Sequence, residues 1–205
     1  MIFLKKRSIR VKPAKVTSEV SWSKCEESMN IDDIDLNKTC CFTGHRPGKL
    51  VADESEIRAW LRQEINRAVN SNFNTFICGM ADGVDVWAAL EVLALRKNNP
   101  EIRLVSAVPF RGMDKSSQCG DISLFNKIIS ESDYVHYICD YYTRWCFLAR
   151  DRWMVDRSER VIAVFNGSKG GTAYTLEYAR NKGREIVVVN DAGLGGRVAP
   201  NEHLG

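Results

Sequence analysis

Between residues 39 and 190, short apolar runs alternate with stretches whose apolar residues recur at helical spacing. That alternation limits the fold more than any other feature of the chain. "TCCF" at 39–42 is followed by Ile57, Leu61, Ile65 and Ala68, and "TFIC" at 75–78 by Val84, Ala88, Val92 and Leu95. "RLVSAVPF" at 103–110, stopped by Pro109, leads to the helical "SLFNKIIS". "DYVHYIC" at 133–139 leads to a helix from about Thr143 to Ser158. "RVIAVF" at 160–165 leads to "TAYTLEYARNKG", and "EIVVVN" at 185–190 is the last run. Six strands separated by helices require crossover connections, so the spacing predicts a Rossmann-like, doubly wound α/β fold: a mainly parallel sheet with helices on both faces. Runs such as "VIAVF" are apolar at every position, as strands buried on both faces should be.

The flanks read differently. Residues 1–38 pass from a basic segment (Lys5, Lys6, Arg7, Arg10, Lys12, Lys15) to an acidic one (Glu26, Glu27, Asp32, Asp33, Asp35) and are expected to form an extension, disordered or contributing an edge strand. Residues 191–205 are expected to be a flexible tail. A signal-peptide core needs roughly 7–15 apolar residues, whereas Ile2 to Leu4 is only a short apolar run before the first lysines, and no stretch approaches the about 20 residues of a membrane span. Seven cysteines without a C-x-x-C pair suit a reducing interior and give no zinc signature, so a cytoplasmic protein without a metal is expected. A net charge of +3 is too small to imply nucleic acid by itself.

In a sheet of this kind ligands bind beyond the carboxyl ends of the strands, so the loops that follow strands are the candidates. After the first strand, Gly44 permits a tight exit while His45 and Arg46 offer a titratable ring and a bidentate guanidinium. After the second come Gly79, Asp82 and Gly83, with Asp82 read as a helix N-cap or a partner for ribose hydroxyls, and Asp85 as a complement to the helix dipole. Arg111 follows the third strand. After the fifth, "NGSKGGT" places Gly170, Gly171 and Thr172 where backbone N–H groups and a helix N-terminus favour an anion; a plain glycine turn is the alternative. The loop matches neither a Walker A nor a G-x-G-x-x-G pattern, so neither ATP hydrolysis nor NAD redox chemistry follows from it. In the fourth helix Arg150, Met154 and Arg157 share nearby faces, so an arginine there is placed to reach over the pocket.

The ordered set "CCFTGHRPGKL", "ICGMADGVDVWAALEVL", "VPFRGMD", "RWMVDRSERVIAVFNGSKGGTAYTLEYARNKG" and "VVVN" resembles the YpsA-type branch of the SLOG superfamily over about residues 39–190. The resemblance implies a Rossmannoid fold related to DNA-processing protein A and to the Lonely Guy phosphoribohydrolases. It also implies a nucleotide-derived ligand such as AMP, ADP-ribose or an NAD-like molecule. By similarity to the Lonely Guy motif, Arg157 and Glu177 are the catalytic candidates, with Gly170 to Thr172 as the phosphate loop. The expectation is therefore a nucleotide-binding or sensing protein. The alternatives are a phosphoribohydrolase acting on a nucleoside monophosphate and a binder of single-stranded DNA. A small nucleotide-like ligand is the expected partner, nucleic acid is less favoured, and self-association into a homo-oligomer is compatible with a domain of this size.

Overall fold

A computed structural model describes residues 30–194. The basic segment from Lys5 to Lys15, the edge strand expected near it and the end of the tail lie outside the described residues. Six strands, β1 (Thr39–Gly44), β2 (Thr75–Cys78), β3 (Arg103–Phe110), β4 (Tyr134–Cys139), β5 (Arg160–Val164) and β6 (Glu185–Val189), form one sheet in the order β4-β3-β2-β1-β5-β6. Every neighbouring pair is parallel, with Cys41 opposite Ile77 on one side and Val161 on the other. Five helices connect the strands: α1 (Glu54–Asn70), α2 (Val84–Arg96), α3 (Ile122–Glu131), α4 (Cys146–Asp156) and α5 (Gly171–Asn181). The architecture is Rossmann-like.

Strand alternation sorts the core into two layers. Phe42, Phe76, Leu104 and Ile162 face α1, α2 and α3 with Ile57, Leu61, Val92 and Ile128; Cys41, Ile77, Val105 and Val161 face α4 and α5 with Met154, Val155 and Leu176. β1 is buried on both faces, whereas the edge strands β4 and β6 are only partly covered, and Val188 of β6 is open to solvent. No helix among the described residues is long and apolar enough to cross a membrane.

Several local expectations give way. β3 continues through Pro109 to Phe110 because β2 pairs with it only as far as Ser106, so no neighbour on that side needs the missing N–H. α4 begins at Cys146, not Thr143; the Thr143 N–H instead donates to Cys146 Sγ at 2.9 Å. α2 is preceded by Gly83, at φ 93°, and not capped by Asp82. Residues 30–38 are folded into two short 3-10 turns, Ile31–Asp33 and Leu36–Lys38. Asp191 at the start of the tail is buried and accepts from the Val51 N–H at 2.6 Å.

The chain proceeds outward from β1 through β2, β3 and β4, then returns to the other side of β1 for β5 and β6. The reversal falls between β1 and β5, where the connections leaving neighbouring strands diverge and leave a crevice.

Candidate functional site

A cleft of about 250 Å³ opens at that reversal. One wall is the segment after β1, where Gly44, His45, Arg46 and Lys49 follow one another around a 3-10 turn, Pro47–Lys49. The opposite wall is the first turn of α5, Gly171 and Thr172, and α4 covers the cleft with Phe147, Leu148, Arg150 and Asp151.

Glycines let these walls approach. An added Cβ on Gly44 would lie 2.5 Å from Val84 Cβ, so the bare backbone is what lets α2 seat against the end of β1. Gly170, at φ 151°, turns the chain into α5 through a conformation that is essentially restricted to glycine. The free N–H groups of the first turn of α5 then sit at the positive end of its dipole. Lys49 Nζ is 3.9 Å from where a Cβ on Gly170 would be, and the Lys49 carbonyl accepts from Asn166 Nδ2 at 2.7 Å, which ties the two walls together.

The floor is ionic. Arg150 Nη1 donates to Asp85 Oδ2 at 2.7 Å, and Arg150 Nε lies 3.0 Å from Asp151 Oδ1, off line, so this buried Nε has no well-directed hydrogen bond. All three side chains are buried. Gly79 makes the arrangement possible: a Cβ there would stand 1.5 Å from Arg150 Nη1. Burial pushes the Asp85 and Asp151 carboxyls above the usual range even though Arg150 pulls both down. Burial also opposes the Arg150 charge, but the two carboxylates outweigh it and raise the guanidinium above its ordinary value. One cation thus serves two buried acids, and the floor presents carboxylate oxygens that can accept from hydroxyl groups.

His45 is 4% exposed and stacks on Phe165 with ring centroids 5.6 Å apart. Its Nε2 is buried without a partner. Burial, assisted by the Lys49 charge, holds the imidazole below its ordinary pKa and favours the neutral ring. Arg46 is exposed at the rim and donates from Nη2 to Gln118 Oε1 at 2.7 Å.

Gly44, His45, Arg46, Gly171 and Thr172 therefore line one cleft, with Gly170 beside it. Gly79 and Gly83 shape the cleft from behind, since a Cβ on Gly83 would meet Pro47 Cδ at 2.8 Å. The remaining candidates sit elsewhere. Asp82 packs beside Gly120, and Arg111 lies over the Tyr137 ring at 4.6 Å and pairs with Asp140. Arg157 follows the last turn of α4, 4.5 Å over the Trp153 ring, while the cleft residues occupy the first half of that helix. Glu177 is exposed on α5 and does not line the cleft.

Sequence reasoning passed over Lys49, Asp151 and the pairing of Asp85 with Arg150. A signal for the last existed: Asp85 lies in the first turn of the apolar helix VDVWAALEVLALR, where a buried acid needs a partner.

A family model for the YspA SLOG family matches residues 40–188. The UPF0398 protein of Bacillus thuringiensis (strain Al Hakam) is 24% identical over 155 residues, 71% of this chain and 84% of its own length. Among solved structures, DNA processing protein A from Streptococcus pneumoniae superposes with a TM-score of 0.53 at 17% identity, over 74% of this chain and 50% of its own. DNA processing protein A from Helicobacter pylori, described for its single-stranded DNA binding mode, gives 0.52 at 19% identity, over 78% of this chain and 68% of its own. At these identities the two structures establish a shared fold.

Proposed function

This chain belongs to the YspA SLOG family, and we propose that within that fold it binds or senses a phosphorylated nucleotide or nucleotide derivative. The phosphate enters the cleft between β1 and α5, and the sugar lies toward the acidic floor. The observation that carries the reading is the meeting of three anion-seeking groups, the N-terminal turn of α5, Lys49 and Arg46, around a cleft whose floor is a buried Asp85–Arg150–Asp151 cluster. Backbone N–H donors and two cations suit a phosphate monoester. The carboxylates below them repel a second anion and accept from hydroxyls, so a sugar phosphate fits the polarity in one orientation.

A hydrolytic reading keeps one support. Asp151 is a buried carboxyl that lines the cleft, placed to assist attack of water at a bound sugar, whereas Glu177 lies outside the cleft. Cys40, Cys41 and Cys78 are buried in β1 and β2 as small apolar packers, which accords with a cytoplasmic setting in the same proposal.

The test is a thermal-shift screen against AMP, ADP, NAD, ADP-ribose, cyclic nucleotides and a short single-stranded oligonucleotide, with chromatography of each mixture for released base. A ligand that binds the native state raises the melting temperature by mass action. Stabilisation by a phosphorylated nucleotide without base release supports sensing, and release abolished by Asp151→Asn supports hydrolysis. A shift by the oligonucleotide alone overturns both.

A further inference from the structure

Three aromatic side chains near the start of α4 contribute little to the core. The connection from β4 to α4 carries Tyr141, Tyr142 and Trp145, which are 73%, 59% and 58% exposed. Burial of such side chains is a major source of stability, so three open ones within five positions call for a role in recognition. Arg144 lies 4.6 Å over the Trp145 ring. Tyr142 meets Phe110 edge-on with centroids 5.3 Å apart, and Phe110 meets Phe147 edge-on at 6.3 Å. Phe147 lines the cleft. A run of aromatic contacts thus leads from Phe147 in the wall of the cleft through Phe110 to the exposed Tyr142. Trp145 stands two positions before Phe147, at the start of the helix that also supplies Arg150.

The size of the cleft decides what can lie on that platform. About 250 Å³ falls below the roughly 300–1,000 Å³ that enclose a drug-sized ligand, so a nucleotide whose sugar phosphate fills the cleft must leave its base outside. We infer that the base of the bound nucleotide stacks on the Tyr142–Trp145 platform at the mouth of the cleft. This makes Tyr142 and Trp145 the residues that select an aromatic base over a bare sugar phosphate. The inference rests on the preceding proposal that the sugar phosphate occupies the cleft. Every base offers a π-face, so the platform selects for a base without choosing strongly among bases, and Arg144 adds a cation to the stack.

The test is calorimetric titration of the full chain with ribose 5-phosphate and with AMP, for the wild type and for the double variant Tyr142→Ala/Trp145→Ala. The wild type is expected to bind AMP about tenfold or more tighter than ribose 5-phosphate, the scale of one base stacked on an aromatic platform. The double variant is expected to bind the two equally, with its ribose 5-phosphate affinity and melting temperature unchanged. Equal binding of the two probes by the wild type, or an AMP advantage that survives in the double variant, overturns the platform and leaves the cleft standing. Binding of neither probe overturns the cleft and the platform together. An AMP advantage that survives while the sedimentation coefficient falls in the double variant identifies the aromatics as a contact between copies of this chain, which also overturns the platform.

Discussion

Arg150 Nη1 lies 2.7 Å from Asp85 Oδ2, and the two buried side chains join the first turn of α2 to the middle of α4 across the end of the sheet. The pair closes the bottom of the cleft and fixes how deep a ligand can go. Its stability rests on compensation. Arg150→Met leaves Asp85 and Asp151 buried without a cation, a loss of about 3–5 kcal/mol. At roughly 2–4 °C per kcal/mol for a chain of this size, the melting temperature falls by about 6–20 °C. Adding Asp85→Asn to Arg150→Met is expected to restore part of the loss in urea unfolding. Full additivity of the two substitutions would show that uncompensated charge is not the cause.

Gly44 and Val84 set the distance between β1 and α2. Gly44→Ala forces the new Cβ against a Val84 Cβ 2.5 Å away, so α2 must move, and overpacking of this kind costs about 1–3 kcal/mol. The new Cβ also meets both Val84 Cγ atoms at 2.6 Å, so in double-mutant cycles with Gly44→Ala, which remove the intrinsic cost of each Val84 substitution, Val84→Ala is expected to recover part of the clash energy and Val84→Gly more. Equal recovery by both second substitutions, measured by chemical denaturation, would place the clash elsewhere.

The buried neutral His45 makes stability depend on pH. Its folded pKa lies below the ordinary value, first through burial and then through Lys49, so protonation favours the unfolded chain. The stability that the neutral ring contributes is present above about pH 6.5 and is lost as pH falls from there through the lowered folded value. Asp85 and Asp151, with raised folded values, act in the opposite sense: their contribution is greatest below about pH 3.9 and declines as pH rises through those values. Comparing wild type with His45→Phe isolates the ring. Urea unfolding from pH 7.5 to 5 is expected to show a smaller loss of stability in the variant, and parallel curves would assign the dependence to other groups.

The sheet was legible because each strand announced itself by composition and each helix by period, and only βαβ crossovers connect such units. Strand order was not, since nothing in "RVIAVF" says on which side of β1 it pairs. The segments that line the cleft were readable for the same reason as the strands: Gly44 to Arg46 end and leave β1, and Gly170 to Thr172 close the connection from β5 into α5. α4 was ambiguous. Arg150 and Arg157 are seven residues apart, two helical turns on nearly the same face, and periodicity cannot say which end of the helix meets the cleft. The structure answers through direction: α4 starts at the carboxyl end of the sheet, so its first arginine reaches the cleft and its last residues lead into β5. Asp82 failed as a cap because Gly83 adopts the positive φ that begins α2 one residue later than a side-chain cap would.

Calorimetric titration of AMP against adenosine, for wild type and Lys49→Ala, tests whether the cleft between β1 and α5 seats a phosphate. A charge-assisted contact to phosphate contributes about 1.5–3 kcal/mol. The wild type is expected to bind AMP at least tenfold tighter than adenosine, and Lys49→Ala to lose most of that difference while retaining its adenosine affinity. Equal affinities for the two in the wild type, or an AMP preference untouched by the substitution, would contradict a phosphate seat in the cleft.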